Sequence, residues 1–100
     1  MSGGLADPTD RESLWLQIAG EDALAPDALH DQILSAHEVH DAPKLVRLYQ
    51  AGAAYQYGAG DLDAALFLTT QAYVFALESG HENQDLLRDL LAAYGREAPA

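Results

Sequence analysis

Between Leu48 and Leu77 the chain carries only two ionised side chains, Asp61 and Asp63, and both stand beside Gly58-Ala59-Gly60. Residues 48–60 and 64–77 are therefore two charge-free stretches joined at a polar, glycine-marked turn. A helix that is apolar on nearly every side is expected inside a protein, where neighbours cover it from more than one direction. The 14-residue run from Ala64 to Leu77 falls short of the roughly 20 residues a bilayer demands. The two stretches should form the centre of a domain, with neighbouring helices on both sides.

The remaining segments supply those neighbours. Asp7-Pro8 offers a cap and a proline suited to a first helical position, and Leu14, Trp15 and Ile18 form one apolar stripe ahead of Gly20. A second helix is expected from Pro26 to about His40, with Leu29, Ile33, Ala36 and His40 on one side, before Asp41-Ala42-Pro43 interrupts it. Pro43 then restarts a third, whose face is Leu45, Leu48, Gly52 and Tyr55. The fourth runs from Leu62 to Ser79 with Gly80 as its stop, and the fifth follows His81-Glu82-Asn83 with Leu86, Leu87, Leu90, Leu91 and Tyr94. No stretch alternates long enough to be a strand. The expectation is one all-α domain of about five antiparallel helices, with residues 1–6 and 96–100 as flexible ends.

The centre of this pattern resembles a tetratricopeptide repeat. Gly52-Ala53-Ala54-Tyr55 is similar to that family's Gly-x-x-Tyr, Gly60-Asp61-Leu62-Asp63-Ala64-Ala65-Leu66 to its turn and second helix, and Ala72 to its later small position. Small residues at these places let two helices cross closely while an aromatic fills the gap beside them. The likeness spans about residues 45–79; one extra residue lies between Tyr55 and Gly60, and Thr69 stands where the family has an aromatic. It implies three units: a degenerate hairpin over 8–42, a clear hairpin over 43–80 and a closing helix over 82–95. It also implies a concave groove lined by Val46, Tyr49, Ala53, Gln56 and Tyr57, where such repeats bind peptides. Packing of Tyr49 and Tyr57 beneath the flanking helices is the alternative.

Charge narrows the partners. Sixteen acidic residues oppose five basic ones, a formal charge of −11, so nucleic acid and anionic membrane surfaces would be repelled. A basic protein or peptide suits this field better. Without cysteine, the chain has no thiolate nucleophile, disulfide or cysteine-ligated metal. The first nine residues lack both the basic and the apolar regions of a leader, and a cytoplasmic location is expected.

Histidines offer the main rival chemistry. His30, His37 and His40 fall near one helical face and lie close to Glu38 and Asp41, a combination that metals favour. His37 and His40 are three apart, however, where a zinc helix needs a spacing of four, and a histidine-rich helix end also complements the helix dipole. Gly58-Ala59-Gly60 lacks the lysine and third glycine of phosphate-binding loops, and Ser13, Ser35 and Ser79 stand in no nucleophile context. The sequence thus points to a non-enzymatic interaction module without a cofactor. The alternatives are a small-ligand or metal-binding domain at His37/His40 and a self-associating module.

Overall fold

A computed structural model of the chain describes residues 8–19 and 26–96. It is all-α: α1 (Pro8–Ala19), α2 (Pro26–Glu38), α3 (Ala42–Gly58), α4 (Leu62–Ser79) and α5 (Gln84–Ala93). No strand occurs among the described residues. The expected Asp7 cap, the Gly20 stop of the first helix, and residues 1–6 and 97–100 lie outside them.

One turn design recurs. His40, Gly60, Gly80 and Gly95 each take a positive φ, and the next residue's N–H donates back to a carbonyl five residues earlier: Asp41 to Ala36, Asp61 to Gln56, His81 to Ala76 and Arg96 to Leu91, at 2.8–3.0 Å. This satisfies carbonyls that a helix end leaves open. Asp41 and Asp61 at once cap the following helix, their Oδ1 atoms accepting from the N–H of Lys44 (3.1 Å) and Ala64 (3.0 Å). At the third turn His81 Nδ1 takes the carboxylate's place and accepts from the Asn83 N–H at 3.0 Å. His40 is the one residue with a side chain in this left-handed position. Helix α2 accordingly stops at Glu38 rather than His40, and His40 is exposed instead of joining the Leu29 face.

Helix α3 is the hub, touching α1, α2 and α4, while α5 packs on α4 and α1. The helices α1, α3, α4 and α5 thereby close a four-helix ring, and α2 lies on α3 outside it. Trp15 of α1 reaches Tyr57 while Ile18 reaches Gln50, so α1 runs antiparallel to α3. Leu29 lies against Gly52 while His37 reaches Tyr49, so α2 does too. The expected hairpin over 8–42 is therefore replaced by two helices that run in the same direction on different sides of α3. Among the described residues their backbones do not meet.

Two polar links and one glycine hold this arrangement. Gln50, buried on α3, donates to the Ile18 carbonyl at 3.1 Å and accepts from Asn83 Nδ2 at 3.0 Å, so one amide ties α1 to the start of α5. Gly52 is buried where α3 passes beneath both flanking helices: a Cβ there would stand 3.0 Å from Leu29 Cδ2 and 3.4 Å from Leu68 Cδ1. Ala65 and Thr69 are fully buried on α4, and the Thr69 hydroxyl donates to the Ala65 carbonyl at 2.8 Å. A threonine serves here because its own helix satisfies the hydroxyl.

His40 yields a direct test. Its side chain is exposed, so His40→Gly should lose no packing and relieve the left-handed strain, which is about 1–2 kcal/mol for a residue with a Cβ, less glycine's added freedom when unfolded. A net gain of up to about 1 kcal/mol is expected in urea unfolding, and a loss would contradict the assignment.

Candidate protein-interaction site

The groove implied by the resemblance is filled. Val46, Gln50, Ala53 and Tyr57 share one stripe of α3 by helical spacing, and α1 lies on that stripe. Val46 and Ala53 are fully buried, in the same core cluster as Trp15 and Ile18. Tyr57 stacks on the Trp15 indole with centroids 4.6 Å apart and planes 14° from parallel. The Trp15 Nε1–H donates to the Tyr94 hydroxyl at 2.9 Å, and the Arg11 guanidinium lies 5.1 Å over the Tyr94 ring. The roles expected of two tyrosines are exchanged: Tyr57 packs, and Tyr55, the expected packing aromatic, is 49% exposed. They point about 200° apart on α3, so a helix that covers one leaves the other open.

Tyr49 and Gln56 face elsewhere, into a trough with α2 and α4 as walls and α3 as floor. At one end a recess of about 180 Å³ is lined by Leu29, His30, Ile33, Gly52, Tyr55, Gln56 and Leu68. At the other end three rings meet. Tyr49 stacks on Phe75 at 5.8 Å and 10°, and His37 stands edge-on to Phe75 at 5.5 Å with its Nε2 3.1 Å from the Tyr49 hydroxyl. Tyr49 and Phe75 border both hydrophobic clusters of the domain and so seal the seam between them. Burial pushes the Tyr49 hydroxyl above its ordinary pKa.

The trough's rims are apolar and open. Leu34 on α2 is 51% exposed and Phe67 and Val74 on α4 are 61% and 42% exposed, whereas Leu77, 48% exposed, lies about 160° around α4 from Phe75, on the far flank of the helix. The expectation that neighbours would cover α4 on both sides therefore fails: α3 and α5 take its inner faces, and Phe67, Thr70, Val74 and Leu77 form an outer row at helical spacing. Single exposed apolar residues are ordinary, but Leu34, Phe67 and Val74 lie together at the open top of the trough, and an apolar patch beside a recess marks an interaction surface. Phe67 was missed as a site residue because the apolar α4 was read as a wholly buried helix, and Leu34 because it lies off the Leu29, Ile33 and Ala36 stripe of α2.

A second concavity of about 330 Å³ lies between α1 and α3, lined by Glu12, Trp15, Leu16, Ala19, Ala54, Tyr57 and Gly58. The histidines do not assemble into a comparable site. His30 lines the trough, His37 belongs to the ring cluster and His40 occupies a turn. Among the described residues, no three histidine, aspartate or glutamate side chains converge as metal ligands would. No helix among the described residues is long and apolar enough to cross a membrane. No family model matches the chain, and no curated protein or solved structure does either.

Exchanging the tyrosine roles alters what mutation should do. Tyr57→Ala is expected to cost about 2–3 kcal/mol through the lost stack on Trp15, toward the low end for a truncated aromatic, whereas Tyr55→Ala should stay within about 0.5 kcal/mol. Equal melting temperatures for the two variants would contradict the packing. A pH effect follows as well. Burial, then Tyr94 and Glu12, raise the Tyr57 pKa above 10.0, with Arg11 opposing. The folded protein then keeps a proton that the unfolded chain releases, so this stabilisation is full below pH 10 and drains away as pH rises through 10.0 toward the folded value. Tyr57→Phe should make the alkaline fall in urea midpoint shallower than in the parent.

Proposed function

We propose that the protein is a non-enzymatic interaction module that receives one helical segment of a protein partner in the trough between α2 and α4. The observation that carries this reading is the apolar rim on both sides, Leu34 across from Phe67 and Val74, above a floor that glycine keeps low at Gly52. Helices α2 and α4 both rest on α3, and among the described residues no contact joins their backbones. A third helix laid over them would complete a second four-helix arrangement around that gap. Its apolar face would bury side chains worth roughly 1.5–3 kcal/mol each when fully covered. Tyr49 and Gln56, both half-buried on the floor, supply an aromatic surface and an amide for recognition.

The α1–α3 recess favours a second reading, a small apolar ligand held against the Trp15–Tyr57 stack. Trp15 is the only tryptophan, so its fluorescence reports directly on that recess.

A labelled helix-forming peptide of about 18 residues, with leucines at i, i+3, i+4 and i+7 spacing and uncharged glutamine and alanine elsewhere, is the probe for the trough. Anisotropy should saturate with the parent protein and weaken at least about tenfold with Val74→Lys, as expected when a charge enters an apolar contact. Leu16→Lys, at an exposed leucine on α1, should leave binding unchanged. An affinity insensitive to Val74→Lys would overturn the trough as the docking site, and a Trp15 shift with indole or another small apolar probe would favour the recess.

A further inference from the structure

The rims carry a charge pattern that specifies the partner more narrowly. All five basic residues, Arg11, Lys44, Arg47, Arg88 and Arg96, lie off α2 and α4. Helix α2 carries Asp27, Asp31 and Glu38, and α4 carries Asp63 and Glu78, all exposed. Lys44 and Arg47 sit about 140–160° around α3 from Tyr49, on the flank turned away from the trough. Arg96 approaches Asp63 at 3.6 Å, but both side chains are exposed and such a pair is weak enough for a partner to compete with it.

The register of the walls places these acids. Leu29 and His30 share the recess with Leu68, and His37 meets Phe75. Both pairings correspond to an offset of about 38 residues, so α2 and α4 run in the same direction with their levels matched. Asp27 and Asp63 therefore stand at the level of one end of the trough and Glu38 and Glu78 at the level of the other, with Asp63 turned about 140° around α4 from Leu68, toward Arg96. At 1.5 Å rise per residue the ends are about 16 Å apart along α2 and about 22 Å apart along α4. Between them lie Leu34 on α2 and Phe67 and Val74 on α4, without a charge on the α4 rim and with Asp31 as the one carboxylate midway along α2.

We propose that the segment bound in the trough is a protein helix with an apolar centre and Lys or Arg at both ends, the two basic ends about 11–15 residues apart. This rests on the trough as docking site and adds its charge recognition. The apolar middle supplies contact area, whereas the carboxylates at each end select orientation and partner, and they repel a second copy of this acidic chain. Held at the rim, these charges stay in water and act with a reach of about 10 Å at 0.1 M salt.

Three peptides with one leucine spine test it, their ends carrying lysine, glutamine or glutamate. At low ionic strength the lysine-ended peptide should bind at least about tenfold more tightly than the glutamine-ended one, with the glutamate-ended peptide weakest and the differences shrinking toward 1 M salt. Glu38→Gln combined with Glu78→Gln should remove much of the lysine advantage and leave the glutamine-ended peptide unaffected. Equal binding of the lysine and glutamine peptides would overturn the charge inference while the docking site stands. Failure of all three would overturn the docking site itself. A concentration-dependent dimer abolished by Val74→Lys would assign the trough to a second copy and overturn the proposal.

Discussion

Trp15 decides how the rest of the molecule is arranged. It is almost wholly buried, stacked on Tyr57 of α3 and hydrogen-bonded to Tyr94 at the C-terminal end of α5, so a single indole ties three helices together. Gln50 adds the second fastening by linking the Ile18 carbonyl to Asn83. With α1 fixed there, one face of α3 is fully used, and α2 is left to the other flank. The trough is what remains between α2 and α4 once α1 has taken its place. A buried aromatic with its N–H satisfied combines large apolar burial with one directional bond, which specifies both contact and orientation.

The five helices were legible in the sequence because their boundaries rest on local chemistry. Gly60 and Gly80 supply left-handed turns, Asp41 and Asp61 supply caps, and each acts within about five residues of itself. Gly52 was legible as a close crossing, although its nearest neighbour is Leu29 of α2 as well as Leu68 of α4. The direction and placement of α1 were not legible. They depend on Trp15 meeting residues 42 and 79 positions away, and no periodicity within α1 encodes which distant face it will cover. The exchange of Tyr55 and Tyr57 follows from that one unknown.

The site was legible in part for the same reason. Tyr49 and Gln56 lie on the trough floor, whereas Val46, Ala53 and Tyr57 lie under α1, because the expected groove is the face that α1 occupies. The useful signal was present but pointed the other way: the charge-free run from Ala64 to Leu77 has more apolar surface than two neighbouring helices can cover. An excess of apolar surface on a helix is evidence of burial, yet it does not say whether the covering element belongs to the same chain.

The Trp15–Tyr94 bond also orders events in time. It closes a loop of 79 residues, whereas α3, α4 and α5 are joined by short turns and fold through contacts close along the chain. Such local contacts form early and long closures late, since chain entropy opposes the latter. During synthesis, α1 emerges before α3, α4 and α5 and yet cannot find its full seat until Tyr94 has been made. Until then the indole has no hydroxyl to bond and the stripe of Val46, Ala53 and Tyr57 waits uncovered. Helix α1 is thus made before the helices it packs on and secured after them, and its seat on α3 stays open until α5 is complete.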